Sequence, residues 1–338
     1  MHAFQGDCVR AVGCLDDCLR QDYGFVAAHF LRGSLRAQQC LPDLALAAFL
    51  LVRSKVPLYP KVQSSIGYCY YVLGNHKSAI IELTAAIAQA RHDATARYTR
   101  GLALQELLAL DKAIDDFSAA IALDKHMAPA YFQRAICRVL QQDYSGASAD
   151  LRETVRLDTD MLHAYVLLGY VCYHNDEVET AVEVYSQFLL EKTTDAKVLV
   201  YRGLCYYRLG ELDLALRDLH RAVKLDAKLW FGYYVLALCY HKKADVDSTA
   251  KNIALCVPYF KEVPTAASWN VAPPLWHIHT VFAYRGNDTK ATLLRLAKYA
   301  CKHSSSRPPR PAVDTTMQSP RQLYVRALFH RTVRHVVF

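Results

Sequence analysis

Residues 94–127 read ATARYTRGLALQELLALDKAIDDFSAAIALDKHM, and residues 128–161 read APAYFQRAICRVLQQDYSGASADLRETVRLDTDM. The two stretches have equal length and align without a gap. Both carry a small residue at position eight, alanine at position twenty and a large apolar residue at position twenty-four. These residues are Gly101 and Ala135, Ala113 and Ala147, and Phe117 and Leu151. The pattern is that of a repeat of 34 residues, which indicates a stacked-repeat architecture.

The same register extends in both directions along the chain. Seven units follow one another without a gap, starting at Val26, Pro60, Ala94, Ala128, Leu162, Ala196 and Trp230. Position eight is Gly or Ala in every unit, and position twenty-four is always large and apolar. Seven units in unbroken register favour a single repeat array over unrelated domains.

Two helices per unit are predicted from the apolar spacing. Ala113, Phe117 and Ala120 follow one another at intervals of three and four, as on one face of a helix. Gly74 and Gly210 are expected in the turn between the two helices, where a positive φ ends the first helix. One unit cannot bury its apolar face alone, so the units stack and share a continuous core.

These residues resemble the tetratricopeptide-repeat (TPR) family over residues 26–263. The resemblance rests on the repeat length, the small residue at eight, the alanine at twenty and the aromatic or Leu at twenty-four. It implies an all-α, right-handed superhelical solenoid of 34-residue helix-turn-helix repeats, in which the first helix of each repeat lines a concave surface. One departure is position thirty-two, usually proline in the family, where only Pro57 matches.

The remaining segments flank the array. Residues 1–25 are interpreted as the second helix of an incomplete N-terminal repeat. Residues 264–303 are predicted to form irregular C-terminal capping helices, 304–320 a flexible Ser/Pro/Arg linker, and 321–338 a basic C-terminal helix.

Charge and composition narrow the functional classes. The net charge of +8 is concentrated in residues 301–338, so the repeats themselves are nearly neutral. No apolar run is long enough to span a bilayer, and the N-terminus reads as neither a signal nor a transit peptide. The cysteines form no CxxC pair, which favours free thiols in a reducing compartment. The expected location is the cytoplasm, with the nucleus or a cilium or flagellum as alternatives.

Catalytic and metal-binding signatures are not found in the sequence. It contains no GxSxG, HExxH, Gly-rich phosphate loop or zinc spacing, so we expect no enzyme activity, no metal and no cofactor. His2, Cys8, Cys14 and Cys18 lie close in sequence, but the repeat explains Cys18 as a small core residue. Four further cysteines fall at position ten, where a buried thiol acts as a small hydrophobe. They are Cys69, Cys137, Cys205 and Cys239.

An aromatic groove is the candidate binding site. The TPR resemblance places positions two, five, nine and twelve of each first helix on the concave surface, and aromatic residues recur there with two histidines beside them. The candidates are Tyr68, Tyr71, Tyr98, Phe132, His163, Tyr170, Tyr173, His174, Tyr207 and Tyr234. Tyrosine suits interfaces, although packing between repeats explains the same pattern. The expected ligand is a peptide or helix of a partner protein, lying along the units that start between Pro60 and Ala196.

The sequence leaves other functions open. The chain is alternatively a structural subunit embedded in a larger complex, for example ciliary, flagellar or cytoskeletal. A chaperone co-factor is less favoured, because the two-carboxylate clamp of some TPR proteins needs Asn or Arg at position six and this chain has neither there. Nucleic-acid binding by the basic tail is disfavoured.

The sequence also predicts two structural features. Position seven is Arg and position twenty-three is Asp in the same three units, which predicts ion pairs Arg100–Asp116, Arg134–Asp150 and Arg202–Asp218. Arg32 faces Ala48 in this scheme and stays unexplained. The N-terminal half repeat is expected to expose Val9, Val12 and Leu15, because no preceding helix covers them. This predicts that the chain self-associates there, that a partner supplies the missing helix, or that the natural sequence extends further upstream.

Overall fold

The computed structural model describes residues 2–192 and 194–260. The segments 264–303, 304–320 and 321–338 of the sequence analysis lie outside the described residues. Every regular element in the described part is an α-helix. The helices are α1 His2–Gln21, α2 Val26–Gln38, α3 Pro42–Lys55, α4 Val62–Val72, α5 His76–Gln89, α6 Ala94–Glu106, α7 Leu110–Leu123, α8 Ala128–Leu140, α9 Tyr144–Leu157, α10 Leu162–His174, α11 Val178–Glu191, α12 Ala196–Leu209, α13 Leu212–Leu225, α14 Trp230–Lys242 and α15 Val246–Phe260.

Helix starts coincide with the 34-residue register. Six of the seven units begin their first helix at the residue where the repeat begins, from α2 at Val26 to α14 at Trp230. The exception is α4, which begins at Val62 because the preceding Lys61 adopts a left-handed φ of 60°. Below, the first helix of each repeat is its A helix and the second its B helix.

Close approach within each repeat depends on the small residue at position eight. A Cβ added at Gly101 would lie 2.7 Å from Cε1 of Phe117, the residue at position twenty-four of the same repeat. Both residues are buried. The large side chain therefore occupies the space that the missing Cβ leaves, which fixes the two helices against each other.

A left-handed residue ends the A helix of every repeat. Position fifteen has a positive φ in all seven, although only two of these residues are glycine. They are Cys40, Gly74, Leu108, Gln142, Asp176, Gly210 and Ala244. The turn geometry is thus kept even where the side chain makes it costly.

The described residues form two compact units, 2–142 and 143–260. Within each unit, every helix packs on the next along the chain, as in α6 with α7 and α12 with α13. The A helices of neighbouring repeats also contact one another, α4 with α6 and α12 with α14. This succession of paired helices confirms the predicted all-α solenoid class.

Candidate functional site: the A-helix face

Five of the ten predicted groove residues are buried. They are Tyr71, Tyr98, Phe132, Tyr170 and Tyr234. The most accessible of them, Tyr234, exposes 9% of its surface. Burial raises the pKa of the Tyr71 hydroxyl well above its usual range, with the Glu106 carboxylate adding to the shift. These five side chains contribute to packing between and within repeats, so they offer a ligand little contact area.

The other five predicted residues keep accessible surface. Tyr68, Tyr173, His174 and Tyr207 are half-buried, and His163 is exposed. All but Tyr68 lie in the unit of residues 143–260, on α10 and α12. Four of these residues therefore place accessible aromatic surface on the A helices α10 and α12. We call the surface of the three A helices of this unit, α10, α12 and α14, the A-helix face.

A cation from the following repeat lies against each of the two half-buried tyrosines predicted from the sequence on this face, Tyr173 and Tyr207. The guanidinium carbon of Arg208 lies 4.9 Å from the ring centroid of Tyr173. The Nζ of Lys242 lies 5.3 Å from the ring centroid of Tyr207. In both pairs the cation follows the tyrosine by 35 residues, one repeat plus one position. Arg208 and Lys242 were not among the site residues predicted from the sequence, although this spacing is visible there.

Arg208 holds α10 and α12 together at this face. Its guanidinium donates a hydrogen bond of 2.7 Å to the backbone carbonyl of Tyr173 and pairs with Asp176. Burial raises the pKa of the Tyr173 hydroxyl, and the positive charge of Arg208 opposes that rise. Tyr173 is therefore a neutral, firmly positioned ring at physiological pH.

An aromatic cluster continues the face from α10 to α9. The His174 ring stacks on Tyr144 with centroids 5.2 Å apart and planes 19° apart. It also contacts Tyr170 at 4.4 Å and Tyr173 at 5.4 Å. Rings that pack on one another lose little further freedom on binding, which suits an interaction surface.

Two of the three predicted Arg–Asp pairs have both partners in one unit. Arg100 donates to both carboxylate oxygens of Asp116, each at 2.7 Å. Arg202 donates to both oxygens of Asp218, at 2.7 and 3.0 Å. The aspartate side chains are nearly buried, which makes these bidentate contacts stronger than surface ion pairs. Arg134 and Asp150 lie in different compact units, and their pairing stays a prediction.

Each of these arginines also has a partner in the preceding repeat, which was not predicted from the sequence. The remaining guanidinium nitrogen of Arg100, Nη1, donates to Thr84 at 3.1 Å, and Nη1 of Arg202 donates to Ser186 at 3.0 Å. Both acceptors stand at position twenty-five of the preceding repeat. Arg134 donates in the same way to Ser118, at 2.9 Å. A position-seven arginine thus connects its A helix to the B helix of the repeat before it.

The same geometry explains Arg32. Its guanidinium donates to Asp16 of α1 at 2.8 Å, and Asp16 stands at position twenty-five of the N-terminal half repeat. Arg32 also contacts Nδ1 of His29 at 3.2 Å. Because a guanidinium can only donate, Nδ1 accepts here and the Nε2 proton of His29 is directed at the carbonyl of Tyr23, 3.0 Å away.

The cysteines of position ten are core residues. Cys69, Cys137, Cys205 and Cys239 are fully buried, and burial raises the pKa of each thiol to about 12. Such thiols are poor nucleophiles and poor metal ligands. In the part of the chain that the structure describes, no group of three His, Cys, Asp or Glu residues is arranged to hold a metal ion. None of the described helices is long and apolar enough to cross a membrane.

The N-terminal helix α1 packs on α2 and keeps part of its apolar surface accessible. Val9 exposes 63% of its surface, whereas Val12 and Leu15 are half-buried. Whether this surface associates with a second molecule stays a prediction.

Stacked helix pairs with an accessible face of rigid rings define a helical-repeat scaffold for protein interaction. Residues 132–197 and 196–229 match models of the tetratricopeptide repeat. The chain therefore contains tetratricopeptide repeats, which these models match over residues 132–229.

Solved structures of TPR proteins share the fold. The C-terminal part of a TPR repeat-containing protein from Cytophaga hutchinsonii matches with a TM-score of 0.59 and 16% identity, covering 71% of this chain and 98% of that one. A tetratricopeptide repeat protein from Parabacteroides merdae matches with a TM-score of 0.50 and 14% identity, covering 82% and 98%. At these identities the likeness concerns the fold alone.

A curated relative matches part of the array. DnaJ homolog subfamily C member 3 of Gallus gallus is 23% identical over 188 residues, which are 56% of this chain and 33% of the chicken protein. The match thus spans a third of that relative's length.

Proposed function

We propose that the protein is a non-catalytic scaffold whose A-helix face binds a peptide or helix of a partner protein. The observation that carries the proposal is the pair of half-buried tyrosines, Tyr173 and Tyr207, each held in place by a cation of the next repeat. Rigid tyrosine rings with accessible surface are typical anchors of protein interfaces. The proposed site is narrower than the sequence-based groove, because the buried rings are left out.

The proposed setting is the cytoplasm, as an adaptor within a multiprotein complex. The buried thiols at position ten support a reducing compartment, since each is a free cysteine within the core. The tyrosine rings of the A-helix face determine the expected size of the binding free energy. Loss of one buried aromatic anchor costs about 2 kcal/mol, or roughly thirtyfold in affinity.

Site-specific photo-crosslinking tests the location of the partner. Benzoylphenylalanine is placed at Tyr207, and in a control protein at Leu225 near the end of α13, which is also accessible. We expect discrete crosslinked partners from position 207 and none of these from position 225. Equal crosslinking from both positions, or partners captured from 225 alone, would move the interface away from the A-helix face.

Substitution tests the role of the tyrosines. Tyr173→Ala and Tyr207→Ala should each remove the partners that crosslink at the A-helix face, because each removes one ring from the surface. The melting temperature should stay close to that of the parent protein, since both rings are only half-buried. A sharp fall in melting temperature with binding retained by the folded fraction would assign these tyrosines to packing.

A further inference from the structure

Helix α1 has the register of a B helix, but no A helix precedes it in this sequence. Counting back from Val26 places Ala11 at position twenty and Leu15 at position twenty-four. Asp16 at position twenty-five pairs with Arg32 of the next repeat, as the hydroxyl residues at that position do elsewhere in the array. Helix α1 therefore packs on α2 as a B helix packs on the following repeat.

The residues of α1 that an A helix would cover are partly accessible. Positions twenty and twenty-four are buried in all seven described repeats, as Ala113 and Phe117 are. Ala11 and Leu15, at the same positions, are only half-buried. Because position twenty-four packs against position eight of its own A helix, the accessible side of α1 fits a helix with a small residue at its eighth position.

A segment near the C-terminal end of the sequence has this pattern. Residues 319–332 read SPRQLYVRALFHRT. Ser319 followed by Pro320 favours the start of a helix, with serine as the N-cap and proline at the first helical position. If Pro320 is taken as position one, Ala327 falls at position eight.

The A helices of the array share the other residues of this segment. Arg at position seven is followed by Gly or Ala at position eight in α2, α6, α8 and α12. Helix α6 also has Tyr98 at position five and Leu102 at position nine. The segment has the same order, with Tyr324 at five, an Arg–Ala pair at seven and eight, and Leu328 at nine. This sequence thus contains an A-helix pattern and a B helix that are each without their usual partner helix.

Alanine at position eight suits the leucine of α1 at position twenty-four. In the described repeats, an aromatic residue at twenty-four always occurs with glycine at eight. Where position eight is alanine, position twenty-four is Leu or Ile, as with Ala237 and Ile253, which are both buried. The added Cβ takes space that a ring would need. Ala327 with Leu15 follows the same rule.

We propose that residues 320–332 dock on α1 of the same chain as the A helix of the N-terminal half repeat, with Ala327 against Leu15. Docking covers the end of the array and withdraws α1 from contact with other molecules. The inference goes beyond the proposed function, because it does not involve the A-helix face or its ligand.

The connecting chain is long enough for docking within one molecule. The 59 residues between Phe260 and Pro320 would span about 200 Å when fully extended. Fifteen helices laid side by side, with axes 8–10 Å apart, would extend over only about 110–140 Å. The tether also keeps the segment at a high effective concentration near α1, which favours docking within one chain over docking between two copies.

Crosslinking between two defined positions tests the docking. Positions seven and twenty-three face each other within a repeat, as Arg100 and Asp116 do. A thiol introduced by Arg326→Cys would therefore face the natural Cys14 at position twenty-three. The full chain with this substitution, as a mixture of isotope-labelled and unlabelled copies, is treated with a short bismaleimide, and the crosslinked peptides are identified by mass spectrometry. The control is Arg310→Cys, which lies before the segment.

We expect Cys14 to crosslink to position 326 within single copies, about tenfold or more above its crosslinking to position 310 in the control. Equal yields from the two positions would overturn the inference. Crosslinks that join labelled to unlabelled copies would also overturn it, because a second copy would then supply the helix.

The accessibility of Cys14 gives a second measurement without an added thiol. Cys14 is exposed, whereas position twenty-three is buried in six of the seven described repeats. Labelling of Cys14 by N-ethylmaleimide is compared in the full chain, in Ala327→Glu and in the control Thr332→Glu. Position eight is buried in every described repeat and position thirteen in none of them.

A docked population of about 90% slows labelling about tenfold, so Ala327→Glu should be labelled about tenfold faster than the parent chain. Thr332→Glu should be labelled at the parent rate. In every variant Cys14 should still react before the cysteines of position ten, because one docked helix opens more readily than the core. Equal labelling rates of Cys14 in the three proteins would refute the docking.

Discussion

Ala244 provides a direct test of how the turns of the repeat are built. It occupies position fifteen of the last described repeat with a φ of 59°, a conformation that costs a residue with a Cβ roughly 1–2 kcal/mol. Its side chain is exposed, so replacing it with glycine removes no packing. Relief of this backbone strain stabilises the folded protein. The greater backbone freedom of glycine in the unfolded chain offsets about 0.5–1 kcal/mol of that stabilisation.

Ala244→Gly should therefore stabilise the protein by about 0.5–1 kcal/mol, from the difference of these two terms. Ala149→Gly is the matched control, because Ala149 is also exposed but lies in the middle of α9. There the same change should destabilise by about 1 kcal/mol. The reciprocal change, Gly210→Ala at a φ of 87°, should also destabilise, although a Cβ there meets nothing within 4 Å.

Urea unfolding followed by circular dichroism measures all three variants. The midpoints should rank Ala244→Gly above the parent chain, with Gly210→Ala and Ala149→Gly below it. If Ala244→Gly falls below the parent chain by as much as Ala149→Gly, the left-handed turn is not the source of strain. The reasoning about position fifteen would then be refuted for the whole array.

Three further predictions concern the core and the N-terminus. In a double-mutant cycle, Arg202→Met and Asp218→Asn should each destabilise the protein by about 1–3 kcal/mol, because the carboxylate is nearly buried. The coupling energy of the cycle should show that the two side chains stabilise each other, and purely additive effects would contradict the contact. With Ellman's reagent, Cys14 should react rapidly and Cys205 only after unfolding. Cys14 is exposed, whereas burial raises the pKa of the Cys205 thiol to about 12. Rapid modification of Cys205 in the folded protein would contradict its position in the core. In sedimentation, Val12→Glu should shift a self-associating protein toward monomer, and an unchanged monomeric profile for both proteins would count against association through α1.

Much of the fold was predictable because its determinants lie within one repeat. Gly101 and Phe117 are sixteen residues apart, and the turn between their helices brings them together wherever the repeat occurs. The ion pairs Arg100–Asp116 and Arg202–Asp218 have the same separation, so covariation within the repeats was enough to find them. Arg32 was missed because its partner, Asp16, belongs to the repeat before it.

The candidate site was predictable in position but not in exposure. Tyr71 and Tyr207 occupy the same position in their repeats, yet Tyr71 is buried and Tyr207 is half-buried. Repeat position tells which side of the helix a ring occupies. How much of the ring stays accessible depends on side chains of neighbouring repeats, such as the Lys242 ammonium over Tyr207.

The amino-acid sequence by itself determined the helical-repeat class, the register of 34 residues and the pairing of helices within each repeat. These features follow from small and large residues that meet over short chain separations. Tertiary structure alone decided which aromatic rings remain accessible, that Arg208 and Lys242 cover two of them, and that position-seven arginines reach back to the preceding repeat. Those outcomes depend on the packing of one repeat on the next, where burial and hydrogen bonding are set by several side chains at once.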